Sequence, residues 1–249
     1  MCNNYYELNF IYLKKAGKMY GVDEIKDISK IEKVNLFDNG IEAITKKIIV
    51  VDSRTNIPFD IGNFSIFVKN SIFNNSSSIT NNIKINNIVK KKNGYEKSMD
   101  SPHVFKHGKA CFGSAITSLK SAINHKDYYQ LFLVLIDFLD SVNIDDPAGK
   151  FIDCWEVYVD KELYDKKERK KVYKKYAGRE INLRELSNII LRGFKIKIVM
   201  KDNDNYIGSI KLSKTGKLII EHENGSRMTR KFKYFREKYF NYSYSFFVV

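Results

Sequence analysis

Between residues 126 and 142 the chain carries Tyr128, Tyr129, Leu131, Phe132, Leu135, Ile136, Phe138 and Leu139 at spacings of three and four, with Leu133 and Val134 filling the gaps. This pattern predicts a helix with a wide apolar stripe, buried over most of its circumference. Val142-Asn143-Ile144-Asp145-Asp146-Pro147 ends it, because Pro147 forbids continuation and the Asn and Asp side chains favour a turn. The apolar run falls short of the roughly 18 residues of a spanning helix. Such a helix must therefore be covered by the rest of the protein. With 43% hydrophobic residues in 249, the chain has enough apolar material for one large or two small domains.

The cover is predicted to be β-rich. Residues 10–13, 46–51 and 64–68 are short runs of β-branched and aromatic residues that read as strands of a meander. Residues 71–97, with Asn74-Asn75-Ser76-Ser77-Ser78 and Lys90-Lys91-Lys92-Asn93-Gly94, read as a long mobile loop containing one weak strand at 83–89. Further helices are predicted at 161–176, heavily charged and exposed, and at 182–191, with an apolar face of Leu183, Leu186, Ile189 and Ile190. Strands at 194–200, 206–212 and 217–221 then close the structure as a second meander. No internal repeat is visible.

The chemistry is concentrated in residues 101–113, Ser101-Pro102-His103-Val104-Phe105-Lys106-His107-Gly108-Lys109-Ala110-Cys111-Phe112-Gly113. Two of the four histidines and one of the three prolines surround Cys111 in a turn-rich stretch outside any helix or strand pattern. Nearby imidazoles and lysines favour a thiolate, which makes Cys111 a candidate nucleophile; the plainer reading is a small buried hydrophobe. His107 reads as exposed.

Two motifs in order sharpen this. His103 stands eight residues before Cys111, followed by Val104 and Phe105, with Gly108 three residues before the cysteine. After the apolar helix comes Asn143-Ile144-Asp145-Asp146-Pro147-Ala148, followed by Trp155 and Tyr158. Residues 101–158 resemble the core of ubiquitin-conjugating enzymes, in which a His-Pro-Asn tripeptide precedes the active cysteine and an Asn-x-x-Asp-Pro-Ala turn follows the helix. The chain is similar to the divergent prokaryotic members of that superfamily, among them the group called PRTRC-system protein B. Ser101 and His103 replace the family's His and Asn, and its Tyr-Pro-x-x-Pro-Pro segment is absent from the sequence before the loop.

The resemblance implies an α+β fold at residues 1–158. Its core would be an antiparallel β-meander with an active-site loop and packed helices. Residues 159–249 would form a basic C-terminal α+β extension. It implies that Cys111 carries a ubiquitin-like modifier as a thioester and passes it to an amine. His103 would support the oxyanion or accept a proton, and Asp146 would orient the incoming lysine. Phe105 and Asn143 would line the cleft. Asp146 also reads as an ordinary turn residue, and Phe105 as core. The implied partners are a ubiquitin-like protein and its activating enzyme, and no cofactor is called for. A catalytically idle scaffold of the same fold and a thiol hydrolase using Cys111, His103 and Asp146 are the competing expectations.

Composition bounds the rest. Cys2, Cys111 and Cys154 are too few and scattered for a disulfide framework or a CxxC zinc site, and the N-terminus lacks a secretion-signal layout, so a reduced, cytoplasmic setting without a membrane span is expected. The formal net charge of +14 suits nucleic acid as an accessory partner, with Arg227, Arg230, Lys231, Lys233, Arg236 and Lys238 interleaving with Phe232, Tyr234 and Phe235. The same charge also fits a Lys-, Asn- and Ile-rich compositional bias.

Overall fold

Asp38 and Asn39 are turn-forming residues, and the chain folds back across them. Strand β1 (Ile31–Phe37) pairs antiparallel with β2 (Gly40–Thr45), Phe37 facing Gly40. No side chain fits at Gly40, where a Cβ would lie 2.3 Å from the Val68 carbonyl oxygen. The computed structural model describes residues 21–52, 56–74, 78–88, 99–101, 103–105, 107–141, 156–158, 166–203, 205–213, 217–230, 232–239 and 243–249. Two compact units result, Met1–Ile48 with Ile61–Phe151 and Ile49–Asp60 with Ile152–Val249.

Strands β3 (Ile48–Val51) and β4 (Pro58–Gly62) follow, and with β9 (Glu156–Val157) they form a three-stranded sheet. The first unit is built on an antiparallel sheet of order β1-β2-β5-β6, where β5 is Phe64–Lys69 and β6 is Ile83–Asn87. Strand β5 alternates buried and half-buried residues, the pattern of a strand with one face on a core. The predicted strand at 10–13 lies outside the described residues.

The described part of residues 71–97 corrects the expectation of a mobile loop. A 3-10 turn (Asn70–Phe73) and the short helix α1 (Ile79–Asn82) lead into β6, and Ile72, Ile79, Ile83 and Ile85 are buried. The asparagines that resemble filler are structural. Ser71 donates to Asn82 Oδ1 at 2.8 Å, and Asn82 Nδ2 donates to the Ser78 carbonyl at 3.1 Å. Buried Asn87 donates to the Ile61 carbonyl at 3.0 Å. Buried amides are tolerated when so satisfied.

Strands β7 (Met99–Ser101) and β8 (Val104–Phe105) form a two-stranded ribbon, followed by α2 (Ala115–Asn124) and α3 (Tyr128–Asp140). Helix α3 is the predicted apolar helix. Asp127 caps it by accepting from the Gln130 amide at 3.0 Å, and Tyr128, Leu131, Phe132, Val134, Leu135, Ile136 and Leu139 are buried. Helix α2 packs on α3, and the turn at Pro147 lies outside the described residues.

The Tyr128 ring is fully buried, edge-on to Phe73 at 4.7 Å, and its hydroxyl donates to Asn70 Oδ1 at 2.5 Å. Burial holds its phenol above the ordinary value of 10, so the folded state keeps this proton more tightly than the unfolded chain. Its contribution is intact below pH 10 and falls by about 1.4 kcal/mol per pH unit above it. Tyr128→Phe is expected to cost about 1 kcal/mol at pH 7, because Asn70 loses its donor. It is also expected to flatten the decline above pH 10, read from urea midpoints between pH 7 and 11.

In the second unit, α4 (Lys166–Tyr176) precedes β10 (Glu180–Ile181) and α5 (Leu183–Ile190). Asn182 and Glu185 cap α5 reciprocally: the Glu185 amide donates to Asn182 Oδ1 at 2.9 Å and the Asn182 amide to Glu185 Oε2 at 3.1 Å. A meander of β11 (Ile196–Met200), β12 (Tyr206–Leu212), β13 (Leu218–His222) and β14 (Arg227–Arg230) follows, then α6 (Phe232–Tyr239) and β15 (Tyr244–Val248). The six strands form one antiparallel sheet of order β10-β15-β11-β12-β13-β14. Phe235 and Tyr239 of α6 are fully buried, with Phe235 edge-on to Phe246 at 6.0 Å. The chain is thus α+β with antiparallel sheets. Among the described residues no helix is long and apolar enough to cross a membrane.

Candidate functional site

His103 begins the site with an unusual backbone. Its φ of 61° lies in the left-handed region, where non-glycine residues are uncommon and His is among those enriched. From there β8 runs out to Phe105, and the chain returns from Gly108 along Lys109 to Cys111. The Gly108 amide donates to the Phe105 carbonyl at 2.8 Å, the Phe105 amide to the Lys109 carbonyl at 2.8 Å, and the Cys111 amide to the His103 carbonyl at 2.8 Å. Val104 and Ala110 face each other as an antiparallel bridge between these bonds. Residues 101–113 thus contain a miniature hairpin, which corrects the expectation of a stretch outside any strand pattern.

The pleat sorts its side chains. Val104 and Ala110 are buried at 0% and 3% exposure, while His103, Phe105, Lys109 and Cys111, one step along each strand, are exposed. The alternation of a strand puts Phe105, Lys109 and Cys111 on the face opposite Val104 and Ala110, and His103, in the left-handed turn before β8, is exposed at the start of the first arm. Along the main chain His103 stands across from Cys111 and Phe105 across from Lys109. Residues paired this way have Cα atoms about 5.5 Å apart, within reach of a side-chain contact. The solvent side of the hairpin therefore presents an aromatic ring, an ammonium and a thiol, with the exposed His103 at the start of its first arm.

Two anchors hold the hairpin to the first unit. The Ile85 amide on β6 donates to the Gly108 carbonyl at 2.9 Å, so the turn covers part of the edge of the four-stranded sheet. Gly108 is buried at φ +75°, and a Cβ there would stand 2.9 Å from Asn86 Oδ1 and 3.2 Å from Lys84 Cβ. On the other side of Cys111, buried Phe112 packs edge-on against Phe138 of α3 at 5.1 Å. The thiol is thus an exposed group on a fixed backbone, flanked at one remove by buried residues. A structural cysteine would be buried instead.

The main chain pairs Cys111 with His103, and Phe105 is 43% exposed rather than part of the core. His107 is exposed, as expected. Asp146, Asn143 and Trp155 lie outside the described residues, and Tyr158 is half-buried with its amide donating to the Pro58 carbonyl at 2.8 Å in the second unit. Sequence reasoning missed Lys109 as a member of the face and Asn86 as a support. The signal for Lys109 was present in its two-residue offset from Cys111. Among the described residues no three His, Cys, Asp or Glu side chains gather to hold a metal ion. Comparison with protein-family models, curated proteins and solved structures gives no match.

Proposed function

We propose that the first unit is a ubiquitin-conjugating-enzyme-like domain that carries the C-terminal acyl group of a ubiquitin-like protein on Cys111. The observation that carries this reading is the hairpin that bonds the Cys111 amide to the His103 carbonyl and leaves the Cys111 thiol exposed. The order of elements supports it too: a four-stranded antiparallel sheet, then the hairpin, then the cysteine, then the apolar helix α3. Asn143 and Asp146 keep the cleft and lysine-orienting roles that the resemblance implies.

In the loading step, the Cys111 thiolate attacks the carbonyl carbon of the modifier's thioester on its activating enzyme. A tetrahedral oxyanion forms and expels the activating enzyme's thiolate, leaving a new S–C bond on Cys111. An amine then attacks the same carbon, Cys111 departs as thiolate, and the amine gives up one proton as the amide forms. The exposed His103 ring supplies an N–H toward the oxyanion in both steps. Phe105, exposed on the first arm of the hairpin, keeps one side of the thioester dry.

The test is mass spectrometry under non-reducing conditions after incubation with ATP, a ubiquitin-like protein and an activating enzyme that charges it. Wild type is expected to gain the modifier's mass less one water, and thiol reductant is expected to remove it. Cys111→Ser is expected to give the same mass as an oxygen ester that resists reductant. If the activating enzyme is charged and wild type gains no mass, the conjugating reading is wrong.

A further inference from the structure

The net charge of this protein is segregated. Residues 166–249 hold 22 Lys and Arg against 8 Asp and Glu, whereas residues 1–165 hold 21 of each, so the whole formal charge of +14 belongs to the last 84 residues. A compositional bias of the source would spread the excess along the chain. Its absence from the first two thirds argues for a selected basic surface on the second unit.

Helix α4 organises the densest part of that charge. Lys167, Lys170, Lys171, Lys174 and Lys175 are exposed and fall at i, i+3, i+4, i+7 and i+8, which is one continuous stripe about 12 Å long. The residues that anchor the helix fall on a different stripe. Tyr176 is buried, Arg169 and Val172 are half-buried, and the Arg169 guanidinium lies 5.0 Å from the centre of the Phe194 ring. With its anchoring stripe committed to the second unit, α4 keeps its lysines in solvent. Only Glu168 interrupts the charge on this helix, and it pairs with Lys171 at 2.7 Å.

Tyr173 gives the surface a second property. Its ring is 43% exposed, rests against Phe194 at 5.9 Å, and borders Lys170, three residues before it on the helix. A part-exposed ring beside a row of cations suits a base stacked on it while its phosphates lie along the lysines. A duplex offers no free base to stack on the ring. We propose that the α4 lysine stripe, with Tyr173, binds single-stranded nucleic acid, independently of the thiol chemistry at Cys111.

The test uses the full chain and a fluorescent 20-nucleotide oligothymidylate, read by anisotropy between 50 and 200 mM salt. Five phosphate contacts in a single strand give a slope of log K against log salt of about −3.5. Replacing all five lysines by Gln is expected to weaken binding at least tenfold and remove most of that slope, whereas replacing them by Arg is expected to preserve both. Tyr173→Ala is expected to weaken binding about fivefold, the lower end of what one stacked base supplies. Unchanged affinity in the five-Gln variant, with its circular dichroism intact, would overturn the proposal. So would a matched duplex or polyglutamate that binds as tightly as the single strand while Tyr173→Ala has no effect.

Discussion

Cys111→Ala is expected to abolish the reducible adduct completely while shifting the urea midpoint by no more than the equivalent of about 0.5 kcal/mol. The two halves of this result come from the same geometry. Cys111 is exposed, so trimming its sulfur removes no core contact and leaves no cavity. The residues that hold the hairpin are its neighbours, Ala110 and Phe112, both buried, and its own main-chain amide, which donates to the His103 carbonyl whatever the side chain is. Alanine keeps that amide. A cysteine retained for packing would behave in the opposite way, costing a kcal/mol or more on truncation and leaving any adduct untouched. Measuring adduct mass and urea unfolding on the same preparation separates the two. An adduct that survives in Cys111→Ala would move the acyl carrier to another residue.

Which parts of this arrangement are legible in the sequence follows from how local their causes are. Helix α3 is readable because its burial is written in consecutive spacings between Tyr128 and Leu139. Strands β11, β12 and β13 are readable because β-branched residues lie between clear turn sequences. Strands β1 and β2 are harder, since the exposed and half-buried residues of β1 show no clean alternation. Helix α2 escapes because Ile116, Leu119, Ala122 and Ile123 form only a narrow apolar face after Gly113. Asn82 and Asn87 mislead for a different reason, as their burial depends on partners at Ser71 and Ile61, far enough away in sequence to be invisible locally. At the site, the reading of Cys111 near His103 rests on residue types in one short segment. That the two face each other is not local, because each arm of the hairpin is three residues long, too short to register as a strand, and the facing is fixed only by the Val104–Ala110 bridge.

Gly108→Val is expected to destabilise the first unit by about 3 kcal/mol and to reduce adduct formation at Cys111 at least tenfold at a temperature where the variant is still folded. At φ +75° a β-branched residue is strained whatever the space around it. Space is also missing: the added Cβ would meet Asn86 Oδ1 at 2.9 Å and Lys84 Cβ at 3.2 Å, and both belong to β6. The Asn86 side chain can turn aside, but the Lys84 Cβ sits next to the backbone, so the turn shifts on that strand and strains the bond from the Ile85 amide to the Gly108 carbonyl that seats the arm carrying Cys111. Gly113→Val is the matched control. Gly113 has φ +51°, so it pays the same kind of backbone strain, but a Cβ there meets nothing within 4 Å. The difference between the two variants therefore isolates the docking of the turn on β6 from the conformational cost of losing glycine. If Gly113→Val lost as much stability and as much adduct as Gly108→Val, backbone strain alone would account for both, and the contact with β6 would have no part in positioning the thiol. The expected outcome is a larger loss at Gly108 in both measurements, since only there does the strand that seats the hairpin also stand in the way of the side chain.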